Sequence, residues 1–548
     1  MRIVKMNRII NNIILLCETI IFLFPSCVKA PFITLDGDNH LSMPFEGGES
    51  MIVFTCNNDW TVVSSEDWLH LSNSSGAASE ESIKIRIQCG VNMGESAREC
   101  TITIQSADIS ETIKVTQSNG NNKGIFYTSS TKKALEFKYL TNVVSNTYND
   151  GIGILVFPEE ITKIEKHAFY EMKELTSIIL PRSVKSIGDG AFQGCVNLLN
   201  VNLEEGIESI GERAFSHCES LTKVTLPSTF SSFGKGAFAD CKSLTDINIP
   251  DGVKTINDAV FAGSGITSSI IPDGVTIIGI SAFQYCRSLA RITLPASIEK
   301  IKRDAFIGCS SLTEITVPEK VTVLESATFR YCSSLKKVSL PTNLEIIGYN
   351  AFAGCTSLAE LSIPSKVVTI DPYAFEQCSA LNNLVLPDGL TSLGSGAFKE
   401  CINISKMSLP SGIVKIESFL FQGCTKLSEV TIPEFITEIG YCSFDGCTNL
   451  TSIIIPESTE VIWGKAFYNC SGLTSVTIPK KVYILSPDAF SNCTSLTQIT
   501  LNRITPPSYS ESYAAFENTN NCPIYVPAES VSKYKEMWPK YANRILSQ

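Results

Sequence analysis

Histidine is nearly missing from this chain: four in 548 residues, at His40, His70, His167 and His217. No two of them share the spacing of a helical metal site, and no C-x-x-C pair occurs among the 20 cysteines. Zinc-type ligation therefore has no framework here. The sequence also lacks G-x-S-x-G, H-E-x-x-H and a phosphate-binding loop; "GKGAF" at Gly234 is only a turn. Basic charge is short as well, with 44 Lys and Arg against 55 Asp and Glu and a net charge of −11. That argues against a nucleic-acid partner, which wants a basic stripe, and against electrostatic attachment to anionic lipid. No apolar run reaches the roughly 20 residues of a membrane-crossing helix. These absences argue against an enzyme, and for no cofactor and no metal.

What is present is one phrase, repeated. It starts at Pro158 and recurs in 23-residue steps to Pro479, fifteen units in all, with Glu204 once in place of proline and one step of 22 between Pro250 and Pro272. Eleven residues after every start stands a phenylalanine, from Phe169 through Phe306, Phe329, Phe352 and Phe375 to Phe490. Units this short bury their apolar residues only by stacking on neighbours, so the phrase predicts a solenoid with the rings as an interior spine. Before each start runs an alternating segment such as "LTEITV", Leu312 to Val317, which reads as a short strand. Proline then ends the strand, having no N–H to donate. The stretch "IGxxAFxxC" is expected to form a turn and a short helical piece on the opposite side. At ~5 Å per stacked strand, the array would span about 75 Å.

Thirteen cysteines occupy one column, among them Cys195, Cys309, Cys332, Cys355 and Cys493. One reading is a disulfide or metal ladder; the other is a file of small apolar side chains in the core. In-register Cβ atoms one strand apart exceed the ~3.5–4.5 Å a disulfide spans, which favours the core. The unit at Pro250 carries Ser264 in that column and is also the short unit, so stacking should be irregular there.

The phrase "LPxxVxxIGxxAFxGCxSLxxIx" resembles the BspA-like bacterial leucine-rich repeats. The resemblance spans about residues 150–505 and implies a right-handed, curved solenoid with strands on the concave side. It also implies adhesion or another interaction with an extracellular or host protein. Two strand columns would face that side. One carries Lys223, Asp246, Arg291, Glu314, Lys337, Glu360, Lys406 and Glu429, largely alternating in sign; the other is mostly Ser and Thr, interrupted by Ile179, Ile270, Val385 and Ile454. These charged residues are the candidate binding face. Tyr285, Tyr331, Tyr349, Tyr373, Tyr441 and Trp463 form a scattered aromatic set near the turns.

The ends differ. Residues 1–27 read as a secretion signal, with Arg2, Lys5 and Arg8 before the apolar stretch Ile13 to Phe24. "FPSC" resembles a lipoprotein box with Cys27 as the lipidated residue; "VKA" before Pro31 is the rival cleavage site. A lipid on Cys27 would be the sole membrane attachment and would place the chain in the cell envelope as an outer-membrane lipoprotein, surface-exposed or on the periplasmic side. Residues 36–120 alternate with period two in "MIVFT", "IKIRIQC", "CTITIQS" and "TIKVTQ", which predicts a small all-β sandwich. Trp60, Trp68, Arg98 and the closing "VTQSNG" resemble a BACON domain. That resemblance implies glycan or mucin contact as the alternative role, beside that of a spacer. Residues 121–150 then serve as linker and N-terminal cap, 151–505 as the repeats, and 506–548 as the C-terminal cap.

Overall fold

The computed structural model describes residues 29–45, 47–92, 96–119, 123–149, 151–508 and 515–548. They divide into two compact units, one ending at Lys123 and one beginning at Gly124. In the first unit, Ile33–Leu35, Gly48–Cys56, Ser79–Cys89 and Leu69–Leu71 form a four-stranded sheet. His40–Met43, Ile109–Gln117, Arg98–Ser106, Trp60–Ser64 and Ser75–Gly76 form a five-stranded one. Period-two alternation aims Phe54, Ile85 and Ile87 from one sheet, and Val62, Ile102, Ile104 and Val115 from the other, into a shared core. The expected all-β sandwich is what forms.

The second unit is a parallel-strand solenoid of about 16 turns. Most coils carry two short strands. The first lies where alternation places it, and Glu314–Thr316 pairs with Lys337–Ser339 in parallel register. The second was not foreseen. It is a two-residue strand at the "VxxI" step, and Val323–Leu324, Ile346–Ile347, Thr369–Ile370 and Ser392–Leu393 make one parallel ladder of it.

The corner bearing the phenylalanine holds no helix. Every coil has positive φ at the residues two before and two after its phenylalanine, as at Asn350 and Gly354 around Phe352. Helical backbone cannot pass through such residues. Alternate N–H groups instead turn along the array: Phe329 donates to the Ala351 carbonyl at 2.8 Å and Phe352 to that of Ala374 at 2.8 Å. The corner is thus a third inter-coil ladder, built from turns.

Inside, the rings stack. Centroids of successive phenylalanines lie 5.5 Å apart at Phe329–Phe352 and at Phe352–Phe375. The spine runs one ring beyond the repeating phrase, to Phe516, 5.7 Å from Phe490. Phe137 meets Phe169 edge-on at the other end. Past Phe516, Tyr534, Trp538 and Tyr541 are all buried, and the Tyr541 hydroxyl accepts a hydrogen bond from the Phe516 N–H at 3.0 Å. Among the described residues Val531–Met537 is the only α-helix.

A candidate binding face on the strand ladder

A strand with one buried face must present its other side chains to solvent. Ile315, Val338 and Met407 point inward, while their neighbours at Glu314, Lys337 and Lys406 are exposed. Lys223, Asp246, Arg291, Glu360 and Glu429 are exposed on the same ladder. In-register stacking brings Lys223 Nζ to 3.4 Å from Asp246 and Lys406 Nζ to 2.7 Å from Glu429. Glu314 and Lys337 are also register partners. The hydrogen bond that the Lys406 ammonium donates to the Glu429 carboxylate raises the Lys406 pKa. Alternating charges cancel along the column, so this face has no strong field of one sign.

The ladder is uneven. Between Lys337–Ser339 and Lys406–Ser408, pairing on this side falls to a single bridge, Glu360 to Asn383. Here the surface opens into a groove of about 1030 Å³ lined by Lys337, Glu360, Ser362, Asn383, Val385 and Asp388. A smaller groove of about 450 Å³ adjoins it through Asn383, Val385 and Asp388 and reaches Lys406 and Glu429. Val385 is common to both and is 82% exposed. Four of the eight charged residues therefore line these two adjoining grooves, Lys337 and Glu360 the larger and Lys406 and Glu429 the smaller; Lys223, Asp246, Arg291 and Glu314 line neither. Asp388 and Lys336 also line the groove, and no column of the phrase marks either. The interruption of the hydroxyl column at Val385 was the one usable signal.

The buried candidates do different work. Phe306, Phe329, Phe352, Phe375, Cys309, Cys332 and Cys355 are all inaccessible. The 18 described cysteines are unbridged. Each thiol of the column has a partner: Cys355 Sγ donates to the Phe329 carbonyl at 3.2 Å, and Cys332 Sγ to that of Phe306 at 3.2 Å. Burial pushes the thiols up, to about 12 at Cys332, Cys378 and Cys424, so the reactive thiolate is withheld. Among the described residues, no group of three or more His, Cys, Asp or Glu is placed to hold a metal ion.

Only part of the aromatic set makes ring pairs. Tyr349 meets Tyr373 at 6.0 Å, and Tyr441 meets Phe419, a residue the sequence did not single out, at 5.6 Å. In the first unit, Trp60 is core, edge-on to Phe54 at 5.3 Å. The Arg98 guanidinium carbon sits 4.4 Å from the Trp68 ring centre. Cys27 lies outside the described residues, as does the rest of the segment 1–27.

Stacked coils with two parallel ladders, an inert interior and an open polar face define a leucine-rich repeat solenoid, a fold typical of binding and scaffold proteins. The sequence model for the BspA type leucine rich repeat region matches residues 145–267, 254–382, 346–472 and 426–537, and the chain belongs to that family. The model of the viral BACON domain matches residues 42–119. A leucine-rich repeat protein from Bacteroides ovatus is 26% identical, aligned over 71% of this chain and 91% of its own, with a TM-score of 0.55. A leucine rich cell surface protein from Faecalibacterium prausnitzii is 26% identical over 71% of this chain and 93% of its own, with a TM-score of 0.37. No curated protein matches significantly. BspA-like proteins are typically found at the bacterial cell surface, and no described helix is long and apolar enough to cross a membrane.

Proposed function

We propose that this chain is a secreted cell-envelope scaffold, held at the outer membrane by lipid on Cys27, which binds an extracellular or host protein and so serves adhesion. The observation that carries the reading is Val385, 82% exposed where two adjoining grooves share a lining, one with Lys337 and Glu360 and the other with Lys406 and Glu429. A desolvatable apolar anchor inside a polar rim is how protein interfaces concentrate their energy. Balanced rim charges select partners and fix register more than they add affinity. In this reading residues 151–505 are the binding array, 506–548 its cap, 121–150 the link, and 36–120 a spacer. The alternative, glycan or mucin contact through the first unit, needs an exposed aromatic ring; Trp60 is core and Trp68 is partly buried against that core.

Capture from host mucosal extract tests the binding claim. The full chain should retain a defined protein band, and Val385→Asp should lose at least about tenfold of it, as expected for a hot-spot anchor. Equal capture by the variant would refute the groove. Protease shaving of intact cells separates the two orientations: full resistance would remove the adhesion role.

A further inference from the structure

The single 22-residue step changes one corner of one coil. A regular corner reads Phe-x-x-Cys-x-x-Leu, as from Phe238 to Leu244; the short one runs Phe261-Ala-Gly-Ser-Gly-Ile266. Phe238 and Phe261 are 6.1 Å apart, the widest step of the spine, and a notch of about 600 Å³ opens beside them. Its floor is backbone. A Cβ on Gly263 would strike the Asp240 carboxylate, and one on Gly265 the Lys242 carbonyl. Its walls are Asp240 and Lys242 from the preceding coil and Gln284, Tyr285, Arg287 and Ser288 from the following one.

The charges there are unequally satisfied. Lys242 is paired with Glu219 at 2.6 Å, and Asp240 has His217 at 3.6 Å. Arg287 has no carboxylate in ion-pairing reach among the described residues; its guanidinium carbon lies 5.7 Å from the Tyr285 ring centre. Tyr285 is 42% exposed.

We propose that this notch binds an acidic sugar residue, a uronic or sialic acid, at a site separate from the ladder groove. The unpaired guanidinium takes the carboxylate. The half-exposed Tyr285 ring takes the apolar face of the sugar ring. Asp240 accepts from hydroxyls, while Gln284 and Ser288 both donate and accept. The volume suits one small ligand. A compact dianion is disfavoured by Asp240, and a short carboxylate would leave the ring unused.

Saturation-transfer NMR and calorimetry on the full chain test this with N-acetylneuraminic acid, glucuronic acid, glucose and free glutamate. One or both acidic sugars should bind; glucose, which lacks the carboxylate, should be weaker by at least about tenfold, the worth of a charge-assisted contact, and glutamate, which lacks the sugar ring, by about 2- to 10-fold, the worth of the ring contact. Arg287→Gln should weaken the acidic sugar by at least about tenfold. Inserting one serine after Gly265, which restores the 23-residue step, should abolish binding; if that variant misfolds, the exposed Arg287→Gln decides alone. The proposal fails if neither acidic sugar binds, if Arg287→Gln binds normally, or if glutamate binds as tightly as the sugars.

Discussion

Each coil is fixed by three kinds of residue. The phenylalanine fills the interior and stacks on its copies, the cysteine next to it occupies little volume, and the Cys Sγ–H meets the Phe carbonyl one coil earlier, as from Cys378 to Phe352 at 3.2 Å. The two columns flanking the ring turn the chain through positive φ. Ring and cysteine columns were plain in the sequence because packing tolerates one answer. The flanking columns were not, because glycine, Asn, Asp, Glu, Lys and Tyr all serve there; their shared property is the absence of Val, Ile and Thr, which such backbone rejects. That property becomes visible only once the φ angles are known. Truncating one ring is the sharpest residue-scale perturbation. Phe352→Ala should cost about 3–5 kcal/mol, since neighbours 5.5 Å away on both sides cannot close the void. Chemical denaturation with ring-specific fluorescence or hydrogen exchange around residues 329–375 would register it.

At the level of the ladder, the first strand was legible from alternation, but two features were not. The second strand is two residues long, too short for any periodicity to show. The lapse of pairing between Lys337–Ser339 and Lys406–Ser408 falls in coils whose phrase is regular, so the repeat gives no clue to it. The expected helical piece failed for the reason already visible at Asn350 and Gly354: two left-handed residues bracket each ring. The charged column has a clear consequence for stability. Lys406 and Glu429 are 72% and 62% exposed, so their 2.7 Å pair is screened by water. Lys406→Glu should therefore leave the melting temperature nearly unchanged, whereas partner capture at the groove should fall. A marked loss of stability would mean that the ladder charges hold the sheet together.

Across the whole molecule, the thirteen column thiols titrate as a set. Folding keeps them protonated, with values raised from 9.0 to about 12 at Cys195, Cys286 and Cys493, and burial is the cause. The unfolded chain ionises near 9.0, so above that pH it binds fewer protons than the fold, and stability falls as pH rises. The stabilising contribution is complete below pH 9 and is lost towards pH 12. Thermal unfolding at pH 7 and pH 10 should show a lower midpoint at pH 10, and exchange of column cysteines for alanine should shrink that difference. The solenoid was readable from the phrase and the sandwich from strand alternation; the site was readable in half, since the charged column was named but the break at Glu360–Asn383, beside which two grooves open, was not.

Native-state thiol labelling followed by mass spectrometry tests the continuous interior directly. If the spine is unbroken from Phe169 to Phe516, an alkylating reagent at neutral pH should leave all thirteen column cysteines unmodified in the folded chain and modify all of them in denaturant. Rapid native labelling within the array, at Cys309, Cys332 or Cys355 above all, would contradict it.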